Sequence, residues 1–300
     1  MQGNSSNVMI FSPLEHPMLV LLSQHLGAEI GEVEHRRFPD KESYLKVCSD
    51  VKGKTCIILM DLVNPDVKYL PLIFLTNTLK EMGALSVGLV TPYLAYMRQD
   101  KRFNEGEAIT SKIFAKALSD NMDWLVTVDP HLHRYHHLSE IYRIPTRVVH
   151  AASAIADWLT TESNLLLVGP DSESEQWVSE IADYAGHPYL IGQKVRSGDK
   201  QVHVEISGIE AHLDKKIFVI DDVISSGHTI LECVKELRNK GAQDIGCITV
   251  HGLFADEADS MLVMCGLNEL ISCNTVPHAS NVIDVSGLLA EAVKDCINSL

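Results

Sequence analysis

Short apolar runs alternate along the chain with longer stretches in which apolar residues recur every three or four positions. The first pattern is typical of buried β-strands, and the second is typical of amphipathic helices, which we predict over residues 107–118 and 151–159. The strand-like runs cover residues 55–60, 86–91, 124–128, 165–168, 217–220 and 245–250. This alternation predicts an α/β protein with mainly parallel sheets that are flanked by helices.

A long-period repeat indicates that the chain contains two similar domains. Residues 83–91 match residues 241–249 at two glycines, one alanine and one threonine. Nearly the same spacing separates Asp61 from Asp221, and each of these carboxylates ends a strand-like run. We therefore predict two tandem domains, residues 1–148 and 149–300, with a last helix that could pack back on the first domain.

The stretch 217–230 carries the strongest chemical signal. An apolar run ends in two adjacent carboxylates, Asp221 and Asp222, and a loop of small residues then precedes a helical pattern. Small residues let backbone N–H groups approach a phosphate, and a helix N-terminus favours negative charge. The carboxylates instead suit sugar hydroxyls, or a metal that bridges to them. The stretch therefore predicts a phosphorylated-sugar site with a loop of Ser225, Ser226, Gly227, His228 and Thr229.

The alternative interpretation is an ordinary strand–turn–helix in which Asp221 and Asp222 cap the helix. The corresponding stretch of the first half, residues 61–66, contains Pro65 and lacks glycine, so it suits a phosphate poorly. We therefore expect only the second half to hold the sugar phosphate, which leaves the first half for another ligand or for assembly.

Composition and charge exclude several classes of protein. With 300 residues, of which 46% are hydrophobic and 22% charged, the chain suits two globular domains. Its net charge of −15 argues against a nucleic-acid partner. No apolar run is long enough to span a membrane, and the N-terminus lacks the pattern of a signal peptide. Seven scattered cysteines without a Cys-x-x-Cys pair predict reduced thiols and a cytoplasmic location.

Two further segments combine charge with a strand-like run. Residues 93–102 bring Arg98, Gln99 and Asp100 together with aromatic residues, a combination that suits phosphate oxygens and a stacked base. Residues 128–137 are rich in histidine, and His131 could touch a hydrated Mg²⁺ and phosphate oxygens. A zinc site is conceivable there but would lack cysteine ligands. Solvated polar surface is the alternative interpretation of both segments.

Two candidates remain in the second half. Asp171 ends another strand-like run, where it could hold Mg²⁺ or cap the following helix. Lys194 and Arg196 are two residues apart on a segment that we expect to be extended, so they face the same way. They could form a cationic lid over transferred phosphates, or they could belong to a solvated hairpin.

Taken in order, these segments resemble the ribose-phosphate pyrophosphokinases, which are also called phosphoribosyl pyrophosphate (PRPP) synthetases. The resemblance covers nearly the whole chain. It rests on Arg-Phe-Pro-Asp-Lys-Glu at 37–42, Tyr-x-Arg-Gln-Asp at 96–100, Asp-Pro-His at 129–131, Pro-Asp at 170–171, Lys-x-Arg at 194–196, Asp-Asp-x-Ile-Ser-Ser-Gly at 221–227 and Thr-Val-His-Gly-Leu-Phe at 249–254. The spelling is similar to the archaeal-type branch, and the family's glycines are replaced at Lys41 and at residues 172–175.

This resemblance implies two tandem type I phosphoribosyltransferase-like domains. It also implies transfer of the β,γ-pyrophosphoryl group of MgATP to O1 of ribose 5-phosphate, which gives PRPP and AMP. The implied residues are Phe38, Asp40, Glu42, Arg98, Gln99 and Asp100 for ATP, Asp221, Asp222 and residues 225–229 for ribose 5-phosphate, His131 and Asp171 for Mg²⁺, and Lys194, Arg196 and His131 for catalysis.

The resemblance further implies a homo-oligomer, at least a dimer, in which the loop at 37–42 reaches the nucleotide of a neighbouring subunit. Two alternatives stay open at this point. One is a non-catalytic regulatory homologue of the family, and the other is a phosphoribosyltransferase, which would not need the nucleotide segment at 98–100.

Overall fold

The structure, a computed structural model, describes residues 7–132, 134–197 and 201–299, and the side chains of residues 195–197 and 201–203 lie outside this description. The chain divides into two units. The first runs to Val149 and includes the C-terminal segment from Ser286, and the second spans His150–Val285.

The first unit contains a six-stranded parallel sheet. The strands of the whole unit, including a separate hairpin, are β1 (Val8–Phe11), β2 (Glu29–Ile30), β3 (Val33–Arg37), β4 (Ser43–Val47), β5 (Thr55–Leu59), β6 (Ser86–Thr91), β7 (Trp124–Val128) and β8 (Thr146–Val149). The first helices of the unit are α1 (Leu19–Leu26), α2 (Pro65–Glu81) and α3 (Thr110–Ser119). The sheet order is β2-β1-β5-β6-β7-β8, while β3 and β4 form a separate antiparallel hairpin.

The second unit repeats this plan. Its strands are β9 (Leu165–Gly169), β10 (Tyr189–Ile191), β11 (Gln193–Ser197), β12 (Gln201–Glu205), β13 (Lys216–Ile224), β14 (Ile245–Gly252), β15 (Glu269–Cys273) and β16 (Asn281–Ile283), and its helices are α4 (Ala152–Leu159), α5 (Glu175–Ala185), α6 (His228–Asn239) and α7 (Ala258–Met264). The sheet order is β10-β9-β13-β14-β15-β16, and β11 and β12 form the hairpin.

The two sheet orders are therefore equivalent strand by strand, which confirms the predicted pair of similar domains. The repeated glycines have physical roles in both copies. Gly83 and Gly241 have φ values of 91° and 100°, a left-handed conformation that favours glycine. Gly88 and Gly246 lie against the rings of Trp124 and Phe218, which leave no space for a side chain.

The last helix, α8 (Ser286–Asn298), belongs to the first unit. Its buried side chains recur every three or four positions and include Leu289, Val293 and Cys296. This apolar face packs against α1, β7 and β8. The helix therefore covers one face of the first sheet, although the chain has passed through the second unit in between.

The strands predicted from the apolar runs are confirmed, with changes at some ends. The predicted helix at 107–118 begins later, at Thr110, because the carboxylate of Glu107 accepts the N–H groups of Phe103 and Asn104 and closes a turn. The prediction that a strand ends at Asp221 is wrong. β13 continues to Ile224, because it remains paired with β14 as far as Gly252.

None of the helices in the described ranges combines the length and the hydrophobicity that crossing a membrane requires.

The close packing of Gly246 gives a testable prediction. A Cβ atom at this position would lie 2.3 Å from the Phe218 ring, so we expect Gly246→Ala to lower the free energy of unfolding. Overpacking of this kind costs about 1–3 kcal/mol. Gly287→Ala on α8 is the matched control, because its nearest neighbouring atom is 3.9 Å away. Urea denaturation of both variants tests the assignment, and equal stabilities would contradict it.

Candidate active site

Three carboxylates meet at the carboxyl edge of the second sheet. Asp171 follows β9, and Asp221 and Asp222 lie within the adjacent strand β13. Loops diverge at this edge of a parallel sheet, and ligands usually bind there. The fold thus gathers three residues that sequence analysis had placed in two separate segments.

The surroundings of Asp221 destabilise the ionised form of its carboxyl group. Although the residue keeps some solvent exposure, its carboxyl is packed mainly among protein atoms, and this burial raises its pKa well above the ordinary value. The negative charges of Asp222 and Asp171 raise the pKa further. The N–H of Asp222 opposes the rise by donating to Oδ1 of Asp221 at 3.1 Å. Perturbed carboxyls in a cleft are typical of functional sites.

Lys194 is the cation that approaches this cluster. Its Nζ lies 2.5 Å from Oδ2 of Asp171, and its side chain is 45% exposed. The other oxygen of Asp171 accepts the N–H of Glu173 at 3.0 Å. The ion pair could not be predicted from the sequence, because Asp171 lies in the loop after β9 and Lys194 lies on β11. The side chain of Arg196 lies outside the described residues, although its backbone pairs with Val202 in the hairpin.

The loop after β13 has the geometry of an anion cradle. Ser225 and Ser226 form the turn, Gly227 adopts a φ of 72° at the N-cap, and α6 begins at His228. His228 and Thr229, predicted as loop residues, therefore belong to the first helical turn. The N–H groups of a first turn have no partner within the helix, so they are available to a phosphate.

A second backbone segment supports this loop. The N–H groups of residues 253–255 donate to the carbonyl oxygens of Ile224 and Ser225 at 2.9–3.1 Å. Behind the segment, His251 is buried, and its Nδ1 lies 2.9 Å from the hydroxyl of Thr275. The motif at 249–254 thus helps to fix the loop. Sequence analysis missed this role because it depends on backbone hydrogen bonds.

The donor set fits a divalent cation that is bound partly through water and substrate oxygens. Among the described residues, no group of three or more His, Cys, Asp or Glu side chains is arranged to hold a metal by itself. Mg²⁺ commonly takes one or two carboxylates and keeps several waters. The raised pKa of Asp221 marks a local excess of negative charge that such a cation would relieve. The predicted metal ligands His131 and Asp171 lie in different units.

At the equivalent position of the first unit, an internal ion pair neutralises the carboxylate. Asp61 follows β5, the strand equivalent to β13, and its Oδ1 lies 2.6 Å from Nζ of Lys68 on α2. The N–H of Val63 donates to the same oxygen at 3.1 Å. Asn64, with a φ of 52°, and Pro65 then lead directly into α2. The carboxylate is neutralised internally and no small-residue loop follows it, which supports the expectation that only the second unit holds the sugar phosphate.

The loop between β3 and β4 carries the residues predicted for the ATP base. The N–H of Phe38 donates to the carbonyl oxygen of Glu42 at 2.8 Å, and the N–H of Glu42 donates to Oδ1 of Asp40 at 3.2 Å. Lys41, which replaces the family's glycine, still has a φ of 73°. Arg36 stacks 4.7 Å from the centroid of the Phe38 ring. The loop therefore keeps a glycine-type turn and leaves Phe38 exposed.

The three residues predicted after β6 differ in environment. Arg98 is exposed, and Gln99 accepts the N–H of Ser111 through its backbone oxygen at 3.3 Å. Asp100 is buried, and its Oδ1 lies 2.5 Å from Nη1 of Arg134. Sequence analysis missed Arg134, because it considered the surrounding segment only for its histidines.

His131 lies in the loop after β7, the strand next to β6, so the sheet brings it to the same edge as residues 98–100. It has a φ of 37°, and Asp129 before it has a φ of 31°. The N–H of His131 donates to the carbonyl oxygen of Asp129 at 2.8 Å. Left-handed non-glycine residues are strained, and such strain is often kept at functional sites.

Comparison with known proteins links these features to one family. A model of the N-terminal domain of ribose phosphate pyrophosphokinase matches residues 8–121, and a model of the phosphoribosyl transferase domain matches residues 137–269. The ribose-phosphate pyrophosphokinase of Methanobrevibacter smithii is 31% identical over 291 residues, covering 91% of this chain and 97% of that protein. The protein of the same name from Methanopyrus kandleri is 31% identical over 280 residues, covering 91% and 94%.

The crystal structure of phosphoribosylpyrophosphate synthetase from Mycobacterium smegmatis has the same fold. It matches with a TM-score of 0.83 at 24% sequence identity, covering 98% of this chain and 100% of that chain.

The raised pKa of Asp221 predicts a gain in stability when its charge is removed. A carboxyl whose pKa is higher in the folded state makes stability fall as the pH rises from its ordinary pKa through the raised one. We therefore expect Asp221→Asn to raise the Tm at neutral pH and to remove that part of the pH dependence. Thermal unfolding without divalent cations measures this, with Asp214→Asn at an exposed position as the control. A lower Tm for Asp221→Asn at every pH would contradict the assignment.

Proposed function

This chain belongs to the ribose-phosphate pyrophosphokinase family, and we propose that it transfers the β,γ-pyrophosphoryl group of ATP to O1 of ribose 5-phosphate. The products are PRPP and AMP. The observation that carries the proposal is the carboxyl edge of the second sheet. There Asp221 and Asp222 precede a loop of small residues that leads into α6, and Lys194 lies beside Asp171.

Ribose 5-phosphate contacts both the carboxylates of β13 and the loop that leads into α6. Asp221 and Asp222 accept hydrogen bonds from the ribose hydroxyls. The N–H groups at the start of α6 and the hydroxyls of Ser225, Ser226 and Thr229 donate to the 5-phosphate. Fixing the sugar at both ends holds its 1-hydroxyl in one place, which supplies much of the catalytic advantage of a bound reactant.

The transfer step requires charge neutralisation more than acid–base chemistry. The sugar's own O1 forms the new bond to the β-phosphorus while the bond between that phosphorus and the α–β bridging oxygen breaks. The 1-hydroxyl proton passes to solvent, and negative charge grows on the bridging oxygen, which leaves with AMP. Lys194 and Arg196 stabilise that charge, and His131 in the first unit serves the phosphates of bound ATP. Asp171 would hold Mg²⁺ together with water and phosphate oxygens, and the ion would supply further neutralisation there.

The first unit binds ATP. The exposed ring of Phe38 stacks on the base of the ATP that a neighbouring copy binds, and Asp40 and Glu42 accept hydrogen bonds from that base. Arg98 and Gln99 serve the phosphates, on the edge where His131 and Asp100 also lie.

The substituted turn at residues 172–175 is compatible with catalysis. The side chains of Glu173 and Glu175 are exposed, so neither adds buried charge to the carboxylate cluster. Ser174 is buried, and its hydroxyl donates to the carbonyl oxygen of Asp171 at 2.6 Å. The turn therefore positions Asp171, which favours an active enzyme over a non-catalytic homologue.

We place the enzyme in the cytoplasm. The seven cysteines form no disulfide among the described residues, which suits a reducing compartment.

Incubation with ATP, Mg²⁺ and ribose 5-phosphate tests the function through the formation of AMP and PRPP. We expect Lys194→Ala to lower kcat by at least roughly 10²–10³-fold, because a donor to the transition state is lost. KM should change little, since the interaction strengthens mainly as the bond breaks.

Lys235→Ala is the matched control, because Lys235 pairs with Glu232 on the surface of α6 in the same unit. Wild-type kcat in Lys194→Ala would remove Lys194 from the mechanism. Wild-type protein that makes no PRPP would favour the regulatory-homologue interpretation.

The first unit also supports self-association. Val67, Leu70 and Phe74 on α2 are 51%, 55% and 43% exposed, and Ile113 on α3 is 62% exposed. We call these four residues the α2 face. A groove of about 400 Å³ beside Phe74 is lined by Phe38 of the hairpin loop. Apolar surface of this kind is typical of interfaces. A second copy docked on the α2 face would place the loop at 37–42 next to its neighbour.

Substitution on the α2 face should therefore reduce the mass of the assembly. We expect wild-type protein to be at least a dimer and Leu70→Glu to shift it toward monomer, because a buried charge without a partner is unfavourable. Multi-angle light scattering over a concentration series measures the mass. Leu85→Glu is the control, since Leu85 is 71% exposed but lies outside the α2 face. A monomeric wild type, or an unchanged mass for Leu70→Glu, would refute the proposed interface.

A further inference from the structure

An ion pair between a half-exposed arginine and a buried carboxylate joins two loops of the first unit. Asp100 follows β6 and Arg134 follows β7, and these strands are neighbours in the sheet. Nη1 of Arg134 lies 2.5 Å from Oδ1 of Asp100, with side-chain exposures of 47% and 2%. The hydroxyl of Tyr135 donates to the backbone oxygen of Asp100 at 3.1 Å. The carboxylate is thus enclosed and fixed, while the guanidinium is half exposed at the edge where His131 also lies.

Stability alone does not account for this pair. Within the described part of the chain, Oδ2 of Asp100 has no hydrogen-bond partner. A buried polar atom without a partner is unfavourable and calls for an explanation. An ion pair with a half-exposed arginine contributes little Coulomb energy to the stability of the fold. A buried carboxylate below an arginine does, however, fix the plane of the guanidinium. Arginine has five N–H donors, so the remaining ones are held in a set direction.

The surroundings of Arg134 suit an anion. Nζ of Lys101 lies 5.0 Å from the centroid of the Phe103 ring, and Cζ of Arg134 lies 5.8 Å from the same centroid. Arg98, two residues before Asp100, is also exposed. Residues 98–107 balance three cations against three carboxylates, so Arg134 leaves a small positive excess at this loop of an acidic chain. A planar guanidinium matches phosphate oxygens better than an ammonium group does.

We infer that Arg134 binds a phosphate of the nucleotide through N–H groups that Asp100 leaves unused. Asp100 is then a positioning residue, which acts through Arg134 and does not itself touch ATP. The inference rests on the proposed function, because it names a further ligand for the ATP of the same reaction. It also reassigns Asp100, which the motif alone had placed among the direct contacts.

Equilibrium binding tests Arg134 independently of turnover. Titration calorimetry of the full-length protein with ATP, and with inorganic tripolyphosphate, in the presence of Mg²⁺ gives the Kd of each. We expect Arg134→Gln to weaken both by roughly 10–100-fold, the range for a lost hydrogen bond to a charged group. Arg134→Lys should restore only part of the affinity, because lysine lacks the planar fork. Arg143→Gln is the matched control, since Arg143 is an exposed arginine of the same unit that pairs with Asp120.

A double-mutant cycle tests Asp100. Asp100→Asn should weaken ATP binding when Arg134 is present and have no further effect in Arg134→Gln. Additive losses would overturn the positioning role, and unchanged affinity in Arg134→Gln would overturn the whole inference. If Arg134→Gln does not fold, as judged by thermal unfolding, Arg134→Lys provides the test, and wild-type affinity there overturns the inference. A wild type that binds neither ATP nor tripolyphosphate would refute the proposed function and this inference with it.

Discussion

The crowding of Asp171, Asp221 and Asp222 is the electrostatic constraint around which the proposed site of the second unit is arranged. β9 and β13 are buried, adjacent strands, and their register places Val168 beside Val219 just before the carboxylates. The core therefore prevents the three side chains from moving apart. Lys194 offsets part of the charge at Asp171 but does not prevent the rise in the pKa of Asp221. The folded chain thus keeps an excess of negative charge where a cation and a sugar would stabilise it.

The duplication places a cluster of acidic residues in one copy of the fold and an internally neutralised carboxylate in the other. Both units have the same sheet order, and both carry a carboxylate near the carboxyl end of the equivalent strand, Asp61 after β5 and Asp221 within β13. In the first unit, Lys68 of α2 neutralises Asp61 at 2.6 Å, and α2 starts at Pro65. In the second unit, a glycine with a φ of 72° precedes α6, and the carboxylates have acidic neighbours. The first unit therefore neutralises this position with a lysine of the following helix, whereas the second unit keeps a glycine before its helix.

The sequence predicted the fold well, because periodicity reports burial directly. Strands such as β7 and helix faces such as that of α6 follow from runs and spacings within one segment. Contacts between distant segments were harder to predict from the sequence. The pairing of β13 with β14 beyond Asp222 depends on the partner strand, and the ion pairs Lys194–Asp171 and Arg134–Asp100 join residues far apart in sequence. Local patterns identified which residues carry charge, and tertiary structure decided which charges meet.

Backbone strain in the described residues is concentrated at the same edges as the chemistry. Non-glycine residues with positive φ follow β5 at Asn64, β6 at Tyr96, β7 at Asp129 and His131, and β14 at Phe254. Each such residue costs roughly 1–2 kcal/mol relative to ordinary backbone. The strands before them are held by the core, so the loops must make abrupt turns at this edge. The strain therefore follows from joining loops to rigid parallel sheets at the edges where the proposed sites lie, and the surrounding core supplies the free energy that maintains it.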